Sequence, residues 1–341
     1  MTFSSVVASN PPRPSLVVVA APASLTDGMA HVERALLDTV RSDDAALTDI
    51  AAHLIRAGGK RQRPAFALAS AMTVTPRAAV PPQDAVLGAV AVELVHLGSL
   101  YHDDVMDEAE MRRTAPSVNA LWGNHRAILA GDYLLAKASE LAASISTEVA
   151  GLLAATIARL CEGQLSEARD AFNIERTEDR YFRSITGKTA ALFATACRIG
   201  GIVGGLDRPQ IDALTRFGQS YGIAFQIVDD VLDLIATEEE LGKPTGHDLL
   251  EGTYTLPVIR AMADPRGGDL RLLLGKPLDD VSLARALELV RVDDAVSSAI
   301  EAARAHADEA VAALGPAAST ESGAWLVETA QALLDRVASR A

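Results

Sequence analysis

The sequence predicts an all-α protein, a single helical bundle of ten or more helices. Three observations carry this. No proline occurs between Pro116 and Pro209, or between Pro209 and Pro244, and these stretches are rich in Ala and Leu, which favours helix. No sustained period-two alternation announces a strand. No low-complexity block or short repeat divides the chain, so one domain over residues 26–341 is the simplest organisation.

In chain order, residues 1–25 read as a disordered tail. Leu16–Ser24 is apolar but short and imitates a secretory signal only weakly; Pro11, Pro12, Pro14 and Pro22 favour a tail instead. From about residue 27 the chain is helical. In 51–70, Gly58-Gly59 ends a helix, then Lys60, Arg61 and Arg63 precede Pro64 at an expected first helical position. Three bases at a helix N-terminus suit an anion, although a solvated basic turn would look the same. The run 198–207, RIGGIVGGLD, predicts a helix end and a loop. The last third reads as amphipathic helices completing the shell, and Asp248 and Glu251 as loop acids.

Composition narrows the function. A net charge of −14 argues against a nucleic-acid groove or a basic membrane patch, and no run approaches the roughly 20 apolar residues of a membrane span. Cys161 and Cys197 lie in apolar helical contexts, as buried free thiols in a reducing cytoplasm would. An anionic substrate would need local cations.

Those cations have an evident partner. Five Asp-Asp pairs occur, at 43, 103, 229, 279 and 293. Three of them precede apolar-periodic runs and read as helix caps. The pairs at 103 and 229 instead lie inside or at the end of apolar runs, and only they have a further acid four residues on, Asp107 and Asp233. Residues i and i+4 share a helix face. Clustered acids on an apolar helix are costly unless a cation neutralises them. With Arg112 and Arg113 a turn beyond the first motif, a magnesium ion bridging to a diphosphate is the expectation. Gln226, three residues before Asp229, shares its face. Lys188-Thr189 opens an apolar helical run, and Lys188 either snorkels outward or points into a polar cavity. Gln164 divides evenly between a core hydrogen bond and a site role. GKT at 187–189 lacks the earlier glycine and the strand of a phosphate loop.

GGKRQRP, HDDVMDEAEMRR and FQIVDDVLD followed by GKPTGHDL resemble, in order and spacing, the motifs of the trans-isoprenyl diphosphate synthases, or polyprenyl synthetases, from about residue 30 to the end. The resemblance implies a deep central cavity, a homodimer, and Mg2+ as cofactor. It implies that Asp103, Asp107 and Asp229 are the main metal ligands, with Asp104, Asp230 and Asp233 in support. Lys60, Arg63, His96 and Arg113 resemble the isopentenyl diphosphate site. Arg112, Lys188, Thr189, Gln226 and Lys243 resemble the site of the allylic partner, farnesyl or geranylgeranyl diphosphate. Two departures stand out. Thr114 replaces a frequent glycine, and Thr253 a frequent lysine, so no phosphate contact is carried to 253. Ala91, Val95, Gly98 and Ser99 would form the wall of the product tunnel; none is aromatic, which predicts a product beyond about twenty carbons, since each buried CH₂ contributes roughly 0.8 kcal/mol. A short-chain synthase, a class I terpene cyclase and a non-catalytic regulatory subunit are the alternatives.

Overall fold

The computed structural model describes residues 19–73, 81–113, 115–237, 245–292 and 294–338. Ten helices occupy the first part: α1 (Ala23–Thr39), α2 (Ala45–Arg56), α3 (Gln62–Ala71), α4 (Gln83–Met106), α5 (Val118–Trp122), α6 (Asn124–Ile145), α7 (Thr147–Arg169), α8 (Glu178–Ile185), α9 (Ala191–Val203) and α10 (Arg208–Ile235). Further helices follow, the longest being Ala295–Leu314 and Glu321–Ala338. The first helix starts at Ala23, within the stretch read as tail, and residues 1–18 lie outside the described residues. The strands described are the two-residue pair Met111–Arg112 and Ala115–Pro116, antiparallel, too short to leave a periodic signal.

Local chemistry sets the helix starts. Asp44 accepts hydrogen bonds from the Ala46 and Leu47 N–H groups and caps α2, as its sequence position predicts. Asp207 and Gln210 form a reciprocal capping box on α10, with Pro209 in its first turn. Pro64 falls at the third residue of α3, not the first. The first turn still tolerates it, because the N–H it lacks has no intrahelical acceptor there.

α4 is the central helix. It packs against α6, α3 and α9, and Ala85 to Leu97 is almost wholly buried. Its length and mean hydropathy of 1.4 would suffice for a membrane span, but 67% of that window is buried inside the fold; it is a core helix. α10 lies against α9 and the helix Ala295–Leu314. Few residues are aromatic, yet Phe66 sits within 6 Å of four rings, those of Phe193, Phe217, Tyr221 and Trp325. This cluster ties α3, α9, α10 and the C-terminal helix together.

The glycines of 198–207 correct the sequence expectation. Gly200 and Gly201 lie inside α9 and are buried. A Cβ on Gly200 would stand 2.2 Å from the Ala67 carbonyl oxygen of α3. These positions serve close helix approach; only Gly204 and Gly205, the latter at φ +72°, end the helix. Gly200→Ala is therefore expected to destabilise the protein by about 1–3 kcal/mol. Gly151→Ala, where an added Cβ meets nothing within 4 Å, should be neutral or stabilising by up to about 1 kcal/mol. Urea midpoints at unchanged m-value check both.

Candidate active site

The C-terminal end of α4 delivers the first acid motif. Asp107 is the last-turn cap, its N–H donating to the Asp103 carbonyl at 2.8 Å. Both side chains line a cavity of about 610 Å³ between α4, α6 and α7, together with Val95, Ser99, Leu135, Ile157, Leu160 and Lys188. Burial pushes the Asp103 carboxyl up to about 6, with Lys188 opposing and the Asp107 charge adding to the shift. Burial, then the charge of Glu251, raises Asp107.

Asp104 goes elsewhere. It is fully buried, and Arg112 Nε donates to it at 2.5 Å. The short antiparallel pair returns Arg112 onto α4. The expected support of a metal by Asp104, and of an allylic diphosphate by Arg112, therefore gives way in this structure to a mutual ion pair that pins the loop after α4. One position along a helix is a 100° turn, so adjacent acids cannot share a face.

The second motif divides in the same way. Asp230 lines a smaller polar cavity of about 90 Å³ with Glu167, Lys188, Thr189, Gln226 and Glu251. Tyr181 Oη donates to one Asp230 oxygen at 2.6 Å and Gln226 Nε2 to the other at 2.8 Å, while Thr189 Oγ1 donates to Gln226 Oε1 at 2.6 Å. Burial pushes Asp230 up to about 7. Asp229, expected as a main ligand, is half-exposed and accepts from Arg336 Nη2 at 3.3 Å. Asp233 accepts the Asp248 N–H at 3.1 Å, and its carbonyl accepts from Gly246. It anchors the segment that brings Asp248 and Glu251 to the polar cavity. Lys243 lies outside the described residues.

Lys188 borders both cavities. It rides on a π-helical turn, Thr186–Ala190, between α8 and α9, the kind of bulge that often marks a functional site. Gly163 makes room for this turn: a Cβ there would lie 2.4 Å from the backbone nitrogen of Lys188. Lys188 Nζ donates to Glu167 Oε1 at 2.5 Å, so the lysine points inward. Gln164 also lines the larger cavity, with its Oε1 buried and unbonded.

The cationic residues form a third group. Arg63 Nη1 lies 3.3 Å from His96 Nε2, and its guanidinium stacks 4.5 Å from the Phe193 ring centre. Burial lowers Arg63 to about 10, and burial plus the charges of Arg63 and Arg113 holds His96 well below its usual range. Arg113, at φ +62°, donates to the Leu54 carbonyl at 3.2 Å. Its guanidinium lies so close to Gly59 that a Cβ there would meet it at 2.6 Å. Cations that depress one another's proton affinity make a field suited to an anion. Arg61 is withdrawn, buried and bonded to Glu33 and Glu93. Lys60 borders a separate pocket of about 240 Å³ beside Gln62 and Arg336.

Of the tunnel-wall residues, Val95 and Ser99 line the large cavity. Ala91 is fully buried and is not part of that lining. Gly98 faces α6 instead: a Cβ would stand 3.1 Å from both the Gly131 carbonyl oxygen and Leu135 Cγ. Cys161, expected to be buried, is exposed and borders the cavity. The sequence reading missed Glu167, Arg176 and Tyr181 and left Asp248 and Glu251 as loop acids. Glu167 had a signal, three residues after Gln164 and so on its face; the others come from separate segments.

Among the described residues no three acidic, His or Cys side chains form a ready-made metal cluster. The acids nonetheless fit a divalent cation. Asp103, Asp107 and Asp230 are oxygen donors whose burial raises their proton affinity, and they line two cavities that share Lys188, where a ligand would complete the coordination.

An all-helical fold in which an acid-lined polar cavity and a larger, mostly apolar one share a lysine is that of the isoprenoid synthases. The chain belongs to the polyprenyl synthetase family, whose profile matches residues 44–289. It is 41% identical over 295 residues to the nonaprenyl diphosphate synthase of Mycobacterium tuberculosis, covering 84% of this chain and 86% of that one. It is also 41% identical over 245 residues to a short chain isoprenyl diphosphate synthase of Methanothermobacter thermautotrophicus, covering 70% and 74%. A polyprenyl synthase from Caulobacter crescentus, solved with calcium and isoprenyl diphosphate, superposes at TM-score 0.84 with 33% identity, over 91% of this chain and 94% of that one.

The raised carboxyl of Asp103 has a sign that can be measured. Its native proton affinity exceeds the ordinary value of 3.8, so the metal-free native state holds a proton that the unfolded chain releases. Stability contributed at low pH is then lost as pH rises from about 4 through about 6. Asp103→Asn is expected to remove this loss and to gain about 1–3 kcal/mol over wild type at pH 7.5, and about a third of that at pH 4.5. Urea unfolding of metal-free protein at both values checks it; an equal gain at the two pH values would contradict it.

Proposed function

We propose that this chain is a magnesium-dependent long-chain synthase that joins isopentenyl diphosphate head-to-tail to an allylic diphosphate, farnesyl or geranylgeranyl. The observation that carries the reading is Lys188: it borders both a cavity ringed by carboxylates and a larger one that carries Asp103 and Asp107 and is otherwise walled mostly by aliphatic side chains. An allylic diphosphate has the same division, a polyanion joined to a hydrocarbon.

Asp103 and Asp107 on one side and Asp230 on the other would hold the metal, and Asp229, which here accepts from Arg336, would join them on the sequence resemblance; magnesium, when bound, neutralises the diphosphate as it departs and serves as a template. Lys188 adds a fixed charge at the leaving group, and Lys243 has the same role on the sequence resemblance. The oxygens of Thr189 and Gln226, already in one hydrogen-bond chain with Asp230, face the allylic cation left behind. Arg63, Arg113 and His96 hold isopentenyl diphosphate, with Lys60 added on the sequence resemblance. Its double bond attacks the cation, and loss of a proton to the released diphosphate restores a trans double bond.

Product length follows from the larger cavity. Its lining includes no Phe, Tyr or Trp, so nothing bulky blocks a growing tail that gains about 0.8 kcal/mol for each CH₂ it buries. This supports a product beyond about twenty carbons, suited to a quinone side chain. Leu121 on α5 and Leu129 on α6 are exposed and lie outside the cavity lining; they support pairing with a second copy, and the reading assigns the enzyme to the cytoplasm.

Incubation with magnesium, farnesyl diphosphate and labelled isopentenyl diphosphate tests the reading: label should appear in a prenyl chain longer than twenty carbons. A hydrocarbon formed without isopentenyl diphosphate would mean cyclisation, and no turnover a non-catalytic subunit. Asp103→Ala should lower kcat by about 10²–10³. Ser99→Phe should shorten the product, seen by chromatography. Gly98→Phe should instead cost stability, because its side chain would enter α6 rather than the cavity.

A further inference from the structure

Arg176 has no part in the mechanism above, yet it is placed to have one. It lies in the turn before α8 and is 3% exposed. Nη1 donates to the Tyr254 carbonyl at 2.9 Å. Nε lies 3.8 Å from Asp170 Oδ2, an ion pair too long for a hydrogen bond, while Arg180 holds the other Asp170 oxygen at 2.5 Å. Nη2 is buried with no hydrogen-bond partner. A buried, unpaired guanidinium N–H is costly, and Arg176 lines the same polar cavity as Lys188, Thr189 and Thr253. Four carboxylates share that lining, and none of them bonds to Arg176.

We propose that Arg176 binds an oxygen of the allylic diphosphate through Nη2. A guanidinium forms strong, directional hydrogen bonds to phosphate, and the carbonyl of Tyr254 fixes its plane. Thr253, on the same cavity, is too short and uncharged to supply this contact. Arg176 does so from another segment of the chain. The inference rests on the synthase reading and refines its diphosphate site.

The test compares wild type, Arg176→Gln, Arg176→Lys and the double variant Arg176→Gln/Thr253→Lys. Two quantities are measured: the affinity for inorganic diphosphate by calorimetry in magnesium buffer, and the separate KM values for farnesyl and isopentenyl diphosphate. Arg176→Gln should weaken diphosphate binding and raise the farnesyl diphosphate KM, each about tenfold, with the isopentenyl diphosphate KM unchanged. Adding Thr253→Lys should recover most of the loss, which a merely structural arginine would not allow. Unchanged diphosphate binding in Arg176→Gln, or a loss that Thr253→Lys leaves in place, overturns the proposal. Should Arg176→Gln not fold, Arg176→Lys decides: it keeps the charge but loses the fork, so diphosphate binding equal to wild type overturns the proposal and a several-fold weakening upholds it. A wild-type protein that neither binds diphosphate nor elongates a chain refutes the synthase reading itself, whatever the variants do.

Discussion

The structure depends on one electrostatic constraint: carboxylates held in a poorly solvated space beside a hydrocarbon-lined cavity. Burial raises the proton affinity of Asp103, Asp107 and Asp230, because the charged form loses water that the protein does not fully replace. Lys188 relieves part of this and is itself held by Glu167. What remains is a site electrostatically prepared for a cation and, through the cation, for a polyanion. On the proposed reading, that is how a diphosphate would be drawn to the mouth of the larger, mostly apolar cavity.

The scaffold that maintains this constraint is kept apart from the groups that would react. Asp104 with Arg112, and Arg61 with Glu33 and Glu93, are ion pairs with at least one fully desolvated member. They occupy the second position of an acid motif and the middle of a basic one. Each fixes the backbone so that its sequence neighbours, Asp103 and Arg63, are presented to a cavity or to a cationic cluster. Small residues provide the other half of the scaffold. Gly163 lets the π turn of Lys188 lie against α7, Gly200 lets α9 lie against α3, and Gly98 lets α4 lie against α6. Where helices approach this closely, the space left between them is set by backbone, and the cavity walls stay narrow and firm.

The large cavity also explains why sequence similarity does not by itself set product length. A relative named as a nonaprenyl diphosphate synthase and one named for short chains both match this chain at 41% identity, over 295 and 245 residues. On the proposed reading, length would depend on the handful of side chains facing the lumen, here Val95 and Ser99 on α4 and Leu135, Ile157 and Leu160 on α6 and α7. A change at one such position alters the volume without altering the fold, since cores tolerate substitution that preserves patterning.

Much was legible before any coordinates. Long proline-free stretches determined the helices, and paired acids inside apolar runs, rather than at helix starts, marked both motifs, because those signals are local and repeat with the 3.6-residue period. What the chain order alone could not decide was direction. Asp103 and Asp104, Asp229 and Asp230, Gly98 and Ser99 are neighbours in sequence, yet one of each pair faces a cavity and the other faces a salt bridge or a packed helix. Rotation about a helix axis is settled by the surfaces that pack around it, and those come from distant segments. For the same reason Glu167, Arg176, Asp248 and Glu251 became visible as one polar wall only when α7, the turn before α8 and the loop after α10 met around Lys188.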